Sequence, residues 1–185
     1  MPAPTLRLAA AADFAAIAAL TNEFIRTTPT HFGYEEVTAA ELQQLWRAHE
    51  TRYPWLVAAA DGAFAGYAKA SGWRSRAAYD WTAETTIYLG AAHRGRGLGR
   101  LLYGRLIAVL KAQGFRSLIG GITLPNDASV ALHEALGFAA SGVVRDAGWK
   151  HGRWHDVGFW QLRLRADATP AAPLQPVATA FAATV

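Results

Sequence analysis

The sequence predicts a single domain of the α/β class, with a central mixed β-sheet and helices on both of its faces. Three observations indicate this. The 185 residues suffice for one domain with a complete core. Segments with the period of a helix and segments that read as strands follow one another in the order β-α-α-β-β-β-α-β-α-β-β, which is the order of a mixed sheet with two helical layers. A glycine-rich turn also joins one predicted strand directly to a long amphipathic helix.

The first half of the chain is predicted to contain two helices and four strands. Asp13 stands where a helix N-cap belongs, and apolar residues follow it at helical spacing. Thr38 is the expected cap of the second helix, and Asp61-Gly62 is a strong hairpin turn. The predicted elements are strands over residues 5–9, 55–60, 64–73 and 82–89, a helix over 11–27, a helix from 38 onward and a loop over 29–37.

The second half is predicted to complete the sheet. Gly114 has the position of a C-cap glycine, and Gly137 ends the following helix. Residues 1–165 are therefore expected to form the domain, and residues 166–185, rich in Ala, Pro and Thr, a flexible tail. The predicted elements are helices over 97–113 and 125–137, strands over 116–122, 138–147 and 157–165, and a loop over 149–156.

Composition excludes several classes of function. The absence of cysteine excludes a disulfide scaffold, a thiol nucleophile and a cysteine-ligated metal. The net charge is +4, but the basic residues are dispersed and no block of five like charges occurs, so we expect no nucleic-acid partner. Arg7 and Asp13 interrupt the apolar start of the chain, which argues against a signal peptide or membrane span. A cytoplasmic protein is expected.

The run over residues 87–100 carries the most information about function. Gly95, Gly97 and Gly99 permit backbone angles and a close approach that a Cβ would block. The amides of such a turn and the positive end of the following helix form a seat for an anion such as a diphosphate. Other phosphate loops fit less well, because no Lys-Ser/Thr pair follows Gly99 and the glycine spacing is not Gly-x-Gly-x-x-Gly.

Arg94-x-x-Gly97-x-Gly99 resembles the pyrophosphate loop of the GCN5-related N-acetyltransferases (GNAT). The chain is similar over residues 5–165 to the phosphinothricin acetyltransferases and related bacterial amino-acid N-acetyltransferases. The similarity is densest in the loop and over 79–84, 124–138 and 148–162. This resemblance implies the GNAT fold, acetyl-CoA as co-substrate, no metal, a homodimer and a role in herbicide resistance. Without a cysteine, the acetyl group must pass directly from donor to acceptor.

Acetyl transfer to an amine requires a base, because a free amino acid's amine is mostly protonated at neutral pH. Glu84 is the candidate base, and strand alternation places it on one face with Thr86 and Tyr88; an exposed strand carboxylate is the alternative. The resemblance assigns the family's glutamate to Glu84 and implies a role in proton transfer for His133. Tyr103 and Tyr88 are further candidates for protonating the thiolate or orienting the amine. A packing role for His133 remains open.

Backbone amides near Tyr88 and Leu89 are expected to stabilise the thioester oxygen as it gains charge. The resemblance also implies contacts of Asn126 with the coenzyme. The complete set of expected coenzyme contacts is Ile87, Tyr88, Leu89, Arg94, Gly95, Arg96, Gly97, Leu98, Gly99, Arg100, Asn126 and Ser129.

The acceptor end is predicted from two segments. If residues 73–76 are extended, Arg74 and Arg76 point the same way and suit a carboxylate or phosphinate; two solvated arginines are the alternative. The loop over residues 30–36 departs from the phosphinothricin-specific pattern, and its Glu35 and Glu36 disfavour an anionic phosphinate if either faces the pocket. The expected substrate-binding residues are Phe32, Trp73, Arg74, Arg76 and Tyr88; Phe32 and Tyr34 equally suit a core.

These observations predict N-acetylation of the α-amine of a small amino acid or analogue, of the phosphinothricin, methionine sulfoximine or methionine sulfone type. Three alternatives remain: a protein N-terminal acetyltransferase, a coenzyme-binding protein without catalysis, and a nucleic-acid-binding module. His151 and His155 do not indicate a metal site, because their spacing falls in a predicted glycine-containing loop.

Overall fold

The protein contains a seven-stranded mixed sheet with helices on both faces. This computed structural model describes residues 3–167 and 171–184. None of the helices in these two ranges is long and apolar enough to cross a membrane. The strands are β1 Thr5–Leu8, β2 Trp55–Ala60, β3 Ala63–Gly72, β4 Thr82–Leu89, β5 Ser117–Thr123, β6 Ala139–Lys150 and β7 Arg153–Arg163; the helices are α1 Phe14–Thr27, α2 Ala39–Arg47, α3 Leu98–Gln113, α4 Asp127–Ala135 and α5 Val177–Ala182.

The strand order in the sheet is β1-β2-β3-β4-β5-β7-β6. Every neighbouring pair is antiparallel except β4 and β5. The parallel ladder between β4 and β5 is short and ends at the pair Glu84 and Ile119, whereas β4 remains paired with β3 as far as Leu89. The two halves of the sheet therefore separate beyond Glu84. The predicted fold class is confirmed.

The two faces of the sheet bury different side chains of β4. Tyr88 packs in a cluster with residues of α1 and α2, whereas Ala83 packs in the larger cluster with Leu102 and Leu106 of α3. Because side chains alternate along a strand, Glu84 lies on the same face as Tyr88, as predicted. Helices α1 and α2 thus cover the face that carries the candidate base.

Two local predictions differ in part from the structure. Asp13 occupies the predicted N-cap position of α1, but its side chain does not cap the helix, because its carboxylate accepts from the amide of Ala10 and pairs with Arg7, both earlier in the chain. The predicted loop over 149–156 is a hairpin between β6 and β7. His151 and Gly152, with φ of 47° and 75°, supply the two left-handed residues that a tight turn needs.

The C-terminal segment also differs from the expected flexible tail. Residues 171–184 cross the α3 side of the sheet and end in α5, where Val177 and Ala180 are buried. The amide of Val177 donates to the carbonyl of Thr51, and the Gln113 side chain donates to the carbonyl of Gln175. Composition predicts no packing here, because the partners of these residues lie more than 60 positions away in the chain.

We expect Phe181→Ala in α5 to lower stability without affecting catalysis. The Phe181 ring packs against the α3 core, lies 4.5 Å from the Arg105 guanidinium carbon and is partly buried. Its truncation should lower the free energy of unfolding by about 1–3 kcal/mol, and the melting temperature by about 2–12 °C. Thermal denaturation measures this, with the exposed Thr179→Ala as control. An unchanged melting temperature would contradict the packing of α5.

Candidate active site

A cleft opens where β4 and β5 separate. It is lined from both halves of the sheet, from α4, and from the loop between α1 and α2. It brings together, from distant parts of the sequence, seven of the predicted site residues, namely Phe32, Glu84, Ile87, Tyr88, Asn126, Ser129 and His133. The full lining is Thr30, His31, Phe32, Glu84, Thr85, Thr86, Ile87, Tyr88, Gly121, Ile122, Asn126, Ser129 and His133.

Glu84 is the carboxylate of this cleft. It is partly buried, and burial raises the pKa of its carboxyl, while the nearby charge of Lys69 opposes that rise. Gly121 lies beside it on β5, where a Cβ would be in ordinary van der Waals contact, 3.5 Å from a Glu84 carboxylate oxygen. A carboxylate that is partly desolvated and lines a cleft has the properties of a general base. The alternative of an exposed strand carboxylate does not hold.

His133 is held by a chain of hydrogen bonds behind the cleft. Its Nδ1 lies 2.7 Å from the carbonyl oxygen of Ser129, and its Nε2 lies 3.0 Å from the Tyr103 hydroxyl. That hydroxyl lies 2.6 Å from Oγ1 of Thr85. Since a carbonyl only accepts, Nδ1 carries the hydrogen and Nε2 accepts from Tyr103. Burial lowers the pKa of His133, which favours this neutral form.

This arrangement changes the interpretation of two predicted catalytic residues. Both ring nitrogens of His133 already have hydrogen-bond partners in the protein. Tyr103 is completely buried, so the Tyr103 hydroxyl does not reach the cleft. Burial also raises the pKa of the Tyr103 hydroxyl. Tyr88, in contrast, lines the cleft, and burial raises the pKa of its hydroxyl to about 12, so it is protonated at neutral pH.

Gly120 was not predicted, yet it permits the position of His133. A Cβ at residue 120 would lie 2.5 Å from the His133 Nε2, which is closer than real Cβ contacts. The pair Gly120-Gly121 in a strand is the sequence signal, because glycine within a strand often marks a close approach.

The glycine-rich loop lies at the end of β4 and leads directly into α3. Gly95 and Gly97 have φ of 71° and 81°, a region that favours glycine, and α3 begins at Leu98. The amides of the first helical turn have no partner within the helix and are available to an anion. The side chain of Leu98 is buried in the core, so only its backbone can serve such a ligand.

The three arginines of the loop have exposed side chains. Arg94 folds back, so that its Nε donates to the carbonyl of Leu89 and its guanidinium lies 5.0 Å from the Phe24 ring centre. Arg96 precedes α3 in the chain and Arg100 lies in the first turn of α3, and both are exposed. The loop and the first turn of α3 therefore carry three arginines.

Asn126 and Ser129 meet at the start of α4. The side-chain oxygen Oδ1 of Asn126 caps the helix by accepting from the backbone amide of Ser129 at 3.1 Å. Among the residues that the structure describes, the Asn126 amide nitrogen makes no hydrogen bond, so it can donate into the cleft that it lines.

The loop between α1 and α2 is fastened to the β6–β7 hairpin. The buried Lys150 donates from Nζ to three carbonyls, those of Ile25, His31 and Gly33. Phe32 packs closely on Gly148, where a Cβ would lie 2.5 Å from the ring. Sequence reasoning missed Lys150, since a lysine in a predicted loop gives no sign of burial.

The predicted arginine pair is not part of the cleft lining. β3 ends at Gly72, so the strand alternation assumed for residues 73–76 does not apply, and Arg74 and Arg76 are both exposed. Arg74 stacks on Trp73 with its guanidinium carbon 5.1 Å from the ring centre, and Trp73 packs edge-on against Phe159. The alternation argument fails because the strand ends one residue before Trp73.

Comparison with known proteins identifies the family. The acetyltransferase (GNAT) domain profile matches residues 6–158, which is most of the chain. The chain belongs to the GNAT acetyltransferase family. This GNAT chain is 48% identical to phosphinothricin N-acetyltransferase of Streptomyces viridochromogenes, over 93% of each chain. It is 36% identical to the L-methionine sulfoximine/L-methionine sulfone acetyltransferase of Salmonella typhimurium, over 91% of this chain and 99% of that one.

Solved GNAT structures agree with the fold. Salmonella typhimurium yncA, solved with its cofactor acetyl-CoA, superposes with a TM-score of 0.89 at 36% identity, over 92% of this chain and 99% of that one. A Sinorhizobium meliloti phosphinothricin acetyltransferase in complex with acetyl-CoA gives 0.83 at 37% identity, over 86% and 88%. The predicted resemblance and enzyme class are confirmed.

Proposed function

We propose that this protein transfers the acetyl group of acetyl-CoA to the α-amine of a small amino acid or amino-acid analogue. The observation that carries the proposal is the partly desolvated Glu84 in a cleft that runs towards the glycine loop at the end of the same strand. Relatives named for phosphinothricin and for methionine sulfoximine and sulfone support this acceptor class.

The residues present fit acetyl-CoA. The left-handed turn at Gly95 and Gly97 and the amides at the start of α3 suit its diphosphate. The side of β4 that faces β5 has no strand partner beyond Glu84, so its backbone can pair with the pantetheine amides. Asn126 and Ser129 close the opposite wall. When bound, acetyl-CoA supplies an activated acetyl thioester.

Glu84 takes the proton from the acceptor amine and so provides a neutral nucleophile. A backbone amide near Tyr88 or Leu89 donates to the thioester oxygen as it gains negative charge. We infer that the hydroxyl of Tyr88, which lines the cleft and is protonated at neutral pH, donates its proton to the departing thiolate. His133 and Tyr103 act as positioning residues, since they fix the cleft wall by their mutual hydrogen bonds.

The charges of Glu35 and Glu36, in the loop between α1 and α2, do not disfavour an anionic acceptor. Glu36 pairs with Arg26 on the exposed outer side of the loop, and Glu35 is also exposed. Neither residue lines the cleft. Phosphinothricin and the neutral methionine derivatives are therefore both included in the proposed acceptor class.

Rates of coenzyme release with phosphinothricin, methionine sulfoximine, methionine sulfone and a peptide N-terminus test this proposal side by side. We expect acetylation of at least one of the three amino-acid analogues with kcat/KM at least tenfold above that of the peptide. Acetylation of the peptide alone would replace the proposal with protein N-terminal acetylation. A melting shift with oligonucleotides but none with acetyl-CoA would favour a nucleic-acid-binding module.

The resemblance further predicts a homodimer, a cytoplasmic location and a contribution to herbicide resistance. A dimer is compatible with the exposed Val143, Val144, Trp149 and Trp154 on β6 and β7. Light scattering of the purified protein measures its oligomeric state.

A further inference from the structure

Lys69 is a cation on the same face of the sheet as Glu84. It lies in the middle of β3 directly opposite Thr86 of β4, and Glu84 is two residues further along β4. Because directly opposed residues of an antiparallel pair share a face, Lys69 and Glu84 are diagonal neighbours. Sequence reasoning missed this lysine, although it interrupts a strand of otherwise small and apolar residues.

The Lys69 ammonium has an aromatic contact but no anionic partner. Its Nζ lies 4.5 Å from the ring centre of Trp55. Within residues 3–167 and 171–184 it makes no hydrogen bond and has no carboxylate within 4.0 Å, although the charge of Glu84 acts on it. Burial lowers its pKa and Glu84 opposes that shift. An ammonium without an acceptor is costly to bury, so a polar ligand beside it is favoured.

The other cations near the cleft are committed elsewhere. The Lys150 ammonium already donates to three carbonyls. Arg74 stacks on Trp73, and Arg74 and Arg76 are exposed beyond the end of β3, whereas Lys69 lies within β3 opposite the cleft-lining Thr86. His31 has its pKa lowered by burial and by the charges of Lys150 and Lys69, which keeps it neutral.

We propose that Lys69 binds the carboxylate of the acceptor amino acid while Glu84 receives its amine. This inference rests on the proposed function and names a specificity-determining residue for it. An α-amino acid carries both groups on one carbon, so a carboxylate and an ammonium that are neighbours on one sheet face match its two charges. The ammonium therefore selects amino acids over amines that lack a carboxylate.

The test compares methionine sulfone with methionine sulfone amide, which keeps the amine and lacks the carboxylate charge. Lys69→Met retains an unbranched apolar stem against Trp55. We expect this variant to lower the acid-to-amide ratio of kcat/KM by about tenfold or more, mainly through KM of the acid. Lys111→Met removes an equal charge from the exposed end of α3 and should keep the wild-type ratio. Lys69→Arg should restore part of the preference.

Each outcome separates this inference from the proposed function. If the wild type acetylates neither compound nor any other amino acid, the proposed function fails. If it does acetylate them but Lys69→Met keeps the acid-to-amide ratio, the carboxylate assignment is overturned. Equal losses of kcat/KM for the acid and the amide would also overturn the carboxylate assignment. A structural effect, or an effect through Glu84, would lower both values alike. Melting temperature and KM for acetyl-CoA report on folding.

Discussion

Glu84→Gln is expected to lower kcat for amino-acid acetylation by about 10²- to 10⁴-fold, with little change in acetyl-CoA binding. The amide keeps the size of the side chain but cannot accept the proton of the acceptor amine. Steady-state kinetics at neutral pH measures the loss. Glu50→Gln is the matched control. It removes an exposed carboxylate that follows α2 in the chain, and it should keep full activity. Full activity of Glu84→Gln at neutral pH would exclude Glu84 as the base.

The same variant has a predictable dependence on pH. Only the ionised carboxylate accepts a proton, and burial raises the pKa of Glu84, so the wild-type rate should fall as the pH drops through that raised pKa. The deficit of Glu84→Gln should shrink at alkaline pH, where the amine deprotonates unaided. A constant deficit up to the amine's own pKa would indicate a structural rather than a proton-accepting role.

Gly97→Val is expected to raise KM for acetyl-CoA by about 10- to 100-fold. Gly97 has φ of 81°, and a β-branched residue in this region costs about 1–3 kcal/mol. The loop must then abandon the conformation that presents the amides at the start of α3. A Cβ at Gly97 meets no protein atom within 4 Å, so the protein core should not be disturbed.

Gly152→Val is the control for this prediction. Gly152 has φ of 75° and equally open surroundings, but it lies in the turn between β6 and β7. It should lose a similar amount of stability while keeping the wild-type KM for acetyl-CoA. A folded Gly97→Val variant with an unchanged KM would show that the diphosphate seat lies elsewhere.

Local signals in the sequence determined the framework of the fold and one end of the site. Periodicity located every strand of the sheet and helices α1 to α4. The glycine spacing predicted the anion-binding turn, because backbone φ angles near 70° to 80° favour glycine over other residues. Alternation along β4 predicted the face of Glu84, because side-chain direction within a strand depends only on neighbouring residues.

Tertiary structure alone decided which groups meet in the cleft. The separation of β4 from β5 after Glu84, the hydrogen bonds that occupy His133, and the ammonium of Lys69 beside Glu84 all depend on pairing between distant segments. The packing of α5 is of the same kind. Such contacts depend on the register in which distant strands pair and on which helices pack over them. Neither can be predicted from the residues adjacent in the chain.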